Sequence, residues 1–428
     1  MELPSKVETA VIGAGQAGLT MSWFLGQASR DHVVIDRRAS LGGGWQDRWD
    51  AFQLVSPNWT ASFPGDPYMG DDPYGFMSRD EIAARVAGYA SAIRAPVALE
   101  TDVVRLSPVA GGGFRLETTR GDVEARQVIV AIGSFHMPNL PPVAPQFPSR
   151  IQQLHSHAYR RESDLAPGAV LVVGSGQSGV QLAEELGEAG RQVLLSVGSA
   201  PRFPRRYRGR DLFEWLFALA TRGAELGVPI PTAETLPDPR MRLAVNGHLS
   251  GHHGGHDMNL RRMAAEGMTL VGRIEDVAGE RVSLAGDLPV NLARADAFFD
   301  ERLRPLFDRF IERSGIDAPP DDRVPFTFEP PVLAELDLEE AGIGCVLWTT
   351  GYRRDYGWID LPILDELGLP RQRRGMSEVP GLSFLGLLWQ HTQASATLGG
   401  PAMDGQYLAE QMGLGVVGDP LPIPAFAR

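Results

Sequence analysis

Two stretches of the chain share one pattern, in which a short apolar run meets three glycines and then an apolar helix. AVIGAGQAGL at residues 10–19 and VLVVGSGQSG at residues 170–179 both space their glycines as G-x-G-x-x-G. Each pattern predicts a strand that turns into a helix around a dinucleotide, because the tight turn, the approach to a pyrophosphate and the helix–strand packing all need glycine. The helix N-terminus offers free N–H groups to the phosphates. A turn that merely packs helix on strand is the alternative.

The strand that follows each glycine loop distinguishes the two predicted sites. HVVID at residues 32–36 ends in Asp36, and an acid there accepts hydrogen bonds from the hydroxyls of an adenosine ribose. In RQVLLSV at residues 191–197, Ser196 stands in the place of Asp36, and four arginines follow: Arg202, Arg205, Arg206 and Arg208. A site with arginines and no carboxylate suits a ribose that carries a 2′-phosphate. An ordinary solvated basic turn is the alternative. FAD at the first site and NADPH at the second fit this pair.

The remaining apolar patterns predict the elements between these sites. Residues 80–94 form an amphipathic helix, residues 101–133 an antiparallel meander, and residues 209–220 a core or lid helix with aromatic residues at helical spacing. Five prolines within residues 137–148 predict a stiff interdomain connection.

One apolar run ends at Gly133 and another ends at Gly351, and the whole second glycine motif lies between them in the sequence. This order predicts that a second domain is inserted into the first. The predicted domains are an FAD-binding domain over residues 1–160, an NADPH-binding domain over 161–334, and the returning part of the FAD domain over 335–428. The predicted fold class is α/β, with two Rossmann-like domains, parallel sheets and an antiparallel meander.

Composition narrows the function classes. The formal net charge of −13 argues against nucleic acid or an anionic membrane as the main partner. The one cysteine, Cys345, excludes an internal disulfide, a C-x-x-C redox pair and a thiolate metal cage. No signal peptide or transmembrane run is visible, so a cytoplasmic protein is expected. Lys6 is the one lysine among 40 Lys and Arg residues, a bias typical of GC-rich bacterial genomes.

SGHHGGHD at residues 250–257 clusters three histidines and an aspartate. Metal ligands at such spacing usually lie on a regular element, whereas this segment contains three glycines. A glycine-permitted loop that faces the cleft is therefore the favoured interpretation, and no metal site is predicted.

The order of these motifs resembles that of the flavin-containing monooxygenases. The resemblance rests on the two glycine loops, GGGW at residues 42–45, LHSHAY at 154–159 and TTGY at 349–352. The family pattern F-x-G-x-x-x-H-x-x-x-Y is half present, because His155 and Tyr159 fit but Ser149 and Ile151 occupy the Phe and Gly places. A Baeyer–Villiger enzyme would have Trp where Tyr159 stands.

The resemblance and the glycine patterns together imply a set of site residues. The two proposed for catalysis are Asn58 and Gln390, for which a turn-capping role and a surface-loop role are the respective alternatives. Those expected to bind cofactor are Gly13, Gly15, Gln16, Ala17, Gly18, Asp36, Arg37, Gly44, Trp45, Val103, Gly133, His155, Gly174, Gly176, Gln177, Ser178, Gly179, Ser196, Arg205, Arg206, Gly351 and Asp404.

The resemblance also implies a reaction. NADPH reduces FAD, O₂ adds at the flavin C4a position, and the resulting hydroperoxide gives one oxygen to a small organic substrate by N-, S- or carbonyl-type oxygenation. Substrate and O₂ are thus the expected partners, and a homodimer is left open. The alternative function is an NADPH-dependent flavoprotein oxidase or reductase that inserts no oxygen.

Overall fold

The computed structural model describes residues 1–135, 137–244 and 246–418. Its helices are α1 (Gln16–Gln27), α2 (Arg79–Ala92), α3 (Gln177–Glu188), α4 (Leu212–Arg222), α5 (Leu260–Ala265), α6 (Leu288–Phe298), α7 (Arg304–Ser314) and α8 (Pro401–Gln411). Its strands are β1 (Lys6–Ile12), β2 (His32–Ile35), β3 (Val97–Ala98), β4 (Val103–Pro108), β5 (Phe114–Thr118), β6 (Val123–Val130), β7 (Met137–Pro138), β8 (Gln152–His155), β9 (Ala169–Val173), β10 (Val193–Ser196), β11 (Arg206–Tyr207), β12 (Arg210–Asp211), β13 (Thr269–Val271), β14 (Ile274–Ala278), β15 (Arg281–Leu284), β16 (Glu335–Asp337), β17 (Ile343–Trp348), β18 (Tyr352–Arg353), β19 (Gln372–Arg373), β20 (Met376–Ser377) and β21 (Leu382–Phe384).

The predicted amphipathic helix is confirmed as α2. Its N-terminus is fixed by a capping box, in which the Ser78 hydroxyl accepts the Glu81 N–H and the Glu81 carboxylate accepts the Ser78 N–H. Ile82, Val86 and Tyr89 are fully buried on one face, as their spacing predicts. The helix predicted around residues 209–220 is confirmed as α4, which buries Leu212 and Trp215.

The first sheet has the strand order β19-β20-β21-β6-β1-β2-β3. Strands β21, β6, β1, β2 and β3 are parallel to one another, and β4 and β5 extend β6 as an antiparallel meander, which confirms that prediction. The second sheet is parallel, with the order β13-β10-β9-β17-β8. The predicted mixed α/β fold with mostly parallel sheets is therefore confirmed.

The predicted domain boundaries need one correction. Strand β17 lies at the centre of the second sheet between β9 and β8, although the boundary at residues 334 and 335 assigns it to the first domain. Strand β8, which the boundary at 160 also assigns to the first domain, forms the edge of the second sheet. An apolar strand that ends at a glycine has the same local pattern in either sheet, so pattern alone could not place it. Residues 419–428 of the predicted third segment lie outside the described residues.

Two chain segments cross between the sheets and are paired with each other. Strand β7 pairs with β18 in an antiparallel ladder, with Pro138 opposite Tyr352. The Asn139 N–H donates to the Gly351 carbonyl at 3.0 Å, and the Asn139 amide nitrogen donates to the Thr350 carbonyl at 3.2 Å. The predicted proline-rich connection therefore forms one half of a hydrogen-bonded two-stranded crossing between the domains.

The two domains share buried apolar surface. One continuous cluster combines Trp49, Phe52 and Leu54 from the first domain with Leu182 and Leu186 from α3 of the second. Burial of apolar side chains on both sides favours a fixed arrangement of the domains. No helix in the described part of the chain has the length and apolar content needed to span a bilayer.

Candidate functional site

The first glycine loop shows three separate reasons for its glycines. A Cβ at Gly13, where φ is +107°, would lie 2.5 Å from the Ala131 carbonyl oxygen, and a Cβ at Gly18 would lie 1.8 Å from the Gly13 carbonyl oxygen. A Cβ at Gly15 would meet no atom within 4 Å. The protein's own packing therefore requires Gly13 and Gly18, whereas Gly15 keeps a space clear for a bound group.

The second loop repeats this geometry. A Cβ at Gly174, with φ of +106°, would lie 2.9 Å from the Thr349 carbonyl oxygen, and one at Gly179 would lie 1.9 Å from the Gly174 carbonyl oxygen. A Cβ at Gly176 would meet no atom within 4 Å. Thr349 directly follows β17, the strand that the predicted boundary assigned to the first domain. Strand β17 therefore supports the second glycine loop.

Both helices that follow these loops begin without a side-chain cap. Gly15 precedes α1 and Gly176 precedes α3, and neither helix has an acidic residue in its first turn. The backbone N–H groups at Gln16 and Ala17, and at Gln177 and Ser178, therefore remain available to an anion. The Gln177 side chain is otherwise engaged, since its Oε1 accepts the Leu249 N–H at 3.1 Å.

Asp36 lies just past β2, next to the first loop. Its carboxylate accepts the Ala14 N–H at 2.7 Å and the Arg38 N–H at 2.9 Å, and the residue is 9% exposed. Each oxygen retains a lone pair for a further donor such as a ribose hydroxyl. The neighbouring Arg37 is exposed.

The predicted equivalence of Ser196 with Asp36 is wrong by one residue. The Gly13 N–H donates to the Ile35 carbonyl at 2.8 Å, and the Gly174 N–H donates to the Ser196 carbonyl at 3.1 Å, so Ser196 corresponds to Ile35. Val197 therefore occupies the place of Asp36. Ser196 is buried, and its hydroxyl donates to the Gly272 carbonyl at 3.0 Å. The second site therefore still has no carboxylate at this position, because the residue there is the apolar Val197.

The structure separates the two predicted phosphate-binding arginines. Arg205 is 3% exposed, lies 2.7 Å from the Asp211 carboxylate and donates to the Val55 carbonyl at 2.6 Å, so it is unavailable to a ligand. Its prediction as a cofactor ligand is therefore wrong, because tertiary packing places it between the domains. Arg206 is exposed and has no side-chain partner among the described residues.

The GGGW segment packs directly on the first glycine loop. A Cβ at Gly43 would lie 3.0 Å from the Cα of Gly15, and Trp45 Nε1 donates to Gln16 Oε1 at 3.2 Å. Gly44 between them is exposed. Trp45 therefore lies beside the start of α1, where it could cover a bound group.

Sequence reasoning did not find Arg48, whose guanidinium is surrounded by aromatic rings. It lies 5.9 Å from the ring centroid of Trp45, 5.6 Å from that of Phe52 and 5.7 Å from that of Phe135. Burial lowers the pKa of Arg48, and the described residues offer it no carboxylate within ion-pair distance. Because Phe135 is far away in the sequence, no local pattern could have indicated this arrangement.

His155 and Gly351 meet at the interdomain crossing. His155 Nε2 lies 3.0 Å from the Gly351 carbonyl oxygen, while its Nδ1 accepts the His157 N–H at 3.1 Å. Both ring nitrogens thus make contacts at the crossing, and a neutral ring with Nε2 protonated satisfies both of them. Gly133 has φ of +72° at the other crossing segment. Val103 begins β4 and is buried in the first domain.

Asn58, Gln390 and Asp404 are buried polar residues, and Asp404 lies in the first turn of α8. Within the described residues, hydrogen-bond partners are missing for Asn58 Oδ1, Gln390 Nε2 and Asp404 Oδ2. Burial raises the pKa of Asp404 to about 6. A Cβ at Gly399 would lie 2.5 Å from the Thr60 carbonyl oxygen, so the loop that starts at Asn58 contacts the segment leading to Asp404. Buried polar atoms without partners are expected where a ligand supplies the missing contacts.

The histidine-rich loop packs the second domain on the first. A Cβ at Gly251 would lie 2.1 Å from the Leu54 carbonyl oxygen, and one at Gly255 would lie 2.6 Å from the Phe76 ring. Two of its histidines lie against helix α3, since His256 Nε2 is 2.5 Å from Glu184 Oε1 and His253 Nε2 is 2.8 Å from Glu188 Oε1. The glycines are therefore explained by close interdomain packing.

Known proteins share this combination of loops and sheets. Residues 10–210 match the family described as pyridine nucleotide-disulphide oxidoreductases. The solved structure of a flavin-containing monooxygenase from Stenotrophomonas maltophilia is 22% identical, with a TM-score of 0.60, and the alignment covers 96% of this chain and 99% of that one. An uncharacterized CzcO-like oxidoreductase of Geobacillus kaustophilus is 31% identical over 404 residues, which cover 94% of this chain and 97% of that protein.

This chain belongs to the family of the CzcO-like oxidoreductases, and it shares its fold with flavin-containing monooxygenases, as the sequence resemblance predicted. It is a flavin-dependent oxidoreductase, and the family match and the shared fold support the predicted cofactors FAD and NADPH. The solved structure of OTEMO in complex with FAD and NADP has a similar fold; it is 14% identical with a TM-score of 0.53, over 96% of this chain and 86% of that one. The local geometry fits such cofactors, since Gly15 and Gly176 leave open space beside uncapped helix N-termini and Asp36 retains acceptor capacity next to the first loop.

Proposed function

We propose that this family member is an NADPH-dependent monooxygenase that inserts one oxygen atom of O₂ into a small organic substrate. The observation that carries the proposal is the pair of open glycine loops in a chain with no second thiol. Its one cysteine, Cys345, is fully buried in β17, and burial raises the pKa of its thiol to about 12. A protonated, enclosed single thiol does not suit dithiol–disulfide exchange.

We assign the binding roles to the residues that leave space or donors for phosphates. The α1 N-terminus at Gly15 would hold the pyrophosphate of FAD, with Asp36 accepting from its ribose, and the α3 N-terminus at Gly176 would hold that of NADPH. We propose Arg206 as the cation for the 2′-phosphate, since it is exposed and has no partner among the described residues. When bound, the cofactors supply the electron transfer and oxygen activation.

We further propose that Asn58 and Gln390 orient the reacting groups. Gln390 is fully buried, and its Oε1 accepts the Leu387 N–H at 3.3 Å, which leaves the amide Nε2 as a donor. Asn58 donates from Nδ2 to the Asp72 carbonyl at 3.0 Å, which leaves Oδ1 as an acceptor. Amides do not titrate, so this donor and acceptor would persist at every working pH. Fixed dipoles of this kind stabilise developing charge without reorganisation.

Product analysis tests the proposed reaction. Purified holoenzyme is given NADPH under ¹⁸O₂ with panels of amines, sulfides, ketones and indole-pyruvate, and NADPH consumption, H₂O₂ and product mass are measured together. We expect at least one substrate to accelerate NADPH consumption, suppress H₂O₂ and gain one ¹⁸O atom. H₂O₂ in equal amount to NADPH for every compound, or reduction of an added acceptor without labelled product, would identify an oxidase or reductase instead.

Nucleotide preference is predicted to depend on Val197. We expect wild type to prefer NADPH to NADH in kcat/KM by roughly tenfold or more. One charged hydrogen bond from Arg206 to the 2′-phosphate would contribute about 1.5–3 kcal/mol, and 1.4 kcal/mol corresponds to about a tenfold change in kcat/KM. Val197→Asp should reduce or reverse this ratio by repelling the 2′-phosphate, and added salt should weaken the effect. Val197→Asn is the control of equal size, and both nucleotides are compared on each variant. Equal NADPH/NADH ratios in the two variants would contradict the assignment.

A further inference from the structure

Arg48 lies between the first glycine loop and the interdomain crossing. On one side its guanidinium carbon is 5.9 Å from the ring centroid of Trp45, whose Nε1 donates at 3.2 Å to Oε1 of Gln16, the first residue of α1. On the other side it is 5.7 Å from the ring centroid of Phe135, and that ring makes a T-shaped contact with Tyr352 of β18. Arg48 is therefore enclosed by one residue that contacts the start of α1 and by others that belong to the crossing.

The crossing leads directly to the second glycine loop. Tyr352 follows Thr349 by three residues, and the Thr349 hydroxyl donates to the Gly174 carbonyl at 2.6 Å. Because Gly174 opens the second loop, a short stretch of backbone joins that loop to the enclosure of Arg48. Arg48 thus lies between the two loops at which the diphosphates of dinucleotides are expected.

The Arg48 guanidinium has no ion-pair or hydrogen-bond partner among the described residues, and burial lowers its pKa. Asp47, the adjacent residue, is already held by Arg38, whose Nη1 donates to Asp47 Oδ1 at 2.9 Å. The aromatic rings contribute cation–π attraction but no strong acceptor, so the N–H donors of Arg48 remain available. A desolvated charge of this kind is unfavourable until an anion contacts it.

Positive charge exceeds negative charge around this position. Burial lowers the pKa of His157, and Asp47 raises it, whereas Arg160, Arg38 and Arg48 lower it further. Three guanidinium groups and one carboxylate therefore act on this ring. Arg160 donates to the carbonyl oxygens of Asp47 and His157 at 3.0 and 2.8 Å, and no carboxylate of the described residues lies within ion-pair distance of it. In a chain of net charge −13, this local excess attracts an anion.

We propose that Arg48 is the counter-ion for the diphosphate of a bound dinucleotide. A guanidinium can donate two parallel hydrogen bonds to one phosphate group, and the diphosphate is the charged group that FAD and NADPH share. The proposal rests on the binding roles proposed above for the two glycine loops. The N–H groups of those loops supply only partial charges, so Arg48 would add the full positive charge that a diphosphate requires.

Binding of whole and truncated cofactors tests this role without turnover. The full-length apoprotein is titrated with FAD and with riboflavin, which has no phosphate. The protein saturated with FAD is titrated with NADP⁺ and with 2′-AMP, which keeps the 2′-phosphate but has no diphosphate. Arg48→Met and Arg48→Gln should each weaken the binding of FAD, of NADP⁺ or of both by roughly tenfold to a hundredfold, because charged hydrogen bonds are lost. Binding of riboflavin and 2′-AMP should stay unchanged, and the dinucleotide that is weakened identifies the source of the diphosphate.

Arg353→Met is the matched control, since Arg353 adjoins Tyr352, is exposed and carries the same charge. It should bind both dinucleotides like wild type. Arg48→Lys keeps the charge without the planar fork and should bind with intermediate affinity. Added salt should weaken dinucleotide binding more in wild type than in Arg48→Met, and thermal unfolding checks that each variant is folded.

Wild-type affinity of the folded Arg48→Met or Arg48→Gln protein for both dinucleotides would overturn the proposal. An equal loss of affinity for riboflavin or 2′-AMP would also overturn it, because Arg48 would then act through the fold and not through the diphosphate. Weakened binding of a dinucleotide alone, in an enzyme whose wild type yields no ¹⁸O-labelled product, supports the role of Arg48 and contradicts only the proposed oxygenation.

Discussion

Replacing Gly15 by leucine is expected to leave the protein folded and almost unable to hold FAD. Gly15 has φ of −77° and ψ of −177°, which any residue adopts, and no atom lies within 4 Å of the position of an added Cβ. A leucine side chain would instead fill the space in which a pyrophosphate meets the α1 N-terminus. Loss of two charge-assisted hydrogen bonds at about 1.5–3 kcal/mol each corresponds to a weakening of FAD binding by roughly 10²- to 10⁴-fold.

The measurement is FAD content by visible absorbance after purification, followed by titration of the apoprotein with FAD. Gly26→Leu is the matched control, because Gly26 lies at the other end of α1, is exposed and also has no atom within 4 Å of an added Cβ. Circular dichroism and thermal unfolding should agree for the two apoproteins. A folded Gly15→Leu protein that retains a full complement of FAD would show that the first loop does not bind the pyrophosphate.

The second large effect is expected when Arg205 is replaced: the stability of the protein should fall, and its preference for NADPH should not change. Its guanidinium is paired with Asp211 at 2.7 Å, with side-chain exposures of 4% and 13%, and it stacks at 4.4 Å over the ring of Phe76 from the first domain. Burial lowers the pKa of Arg205 and raises that of Asp211, so each charge depends on the other. Arg205→Met leaves the Asp211 carboxylate buried alone, which should lower the free energy of unfolding by about 3–5 kcal/mol.

Chemical denaturation of the apoproteins measures this loss. Arg206→Met, one residue away and exposed, should change the free energy of unfolding by no more than about 0.5 kcal/mol. The double variant Arg205→Met/Asp211→Asn should recover part of the loss, since asparagine removes the unpaired charge yet can still cap α4. An Arg205→Met protein of wild-type stability with a reduced preference for NADPH would indicate instead that Arg205 binds the 2′-phosphate.

Local patterns predicted the elements whose neighbours lie close in the sequence. The packing of Gly18 on Gly13, the α2 capping box and the β4–β5–β6 meander each depend on contacts within a few tens of residues. Counting residues along the chain was a less reliable way to match positions between the two glycine motifs, where an error of one residue changes the assignment. The register between β9 and β10 shows that Val197, and not Ser196, corresponds to Asp36, because equivalence follows from hydrogen bonds between strands.

The sequence by itself determined that this chain forms two glycine loops on strand–helix turns and that one ends in an acid while the other does not. Only the tertiary structure decided that β17 lies in the second sheet, that Arg205 is buried against Asp211, and that Trp45, Phe52 and Phe135 surround Arg48. The physical reason is the range of the interactions. Turns and caps are stabilised by adjacent backbone, whereas burial, ion pairing and cation–π contacts depend on segments that are brought together only when the two domains fold against each other.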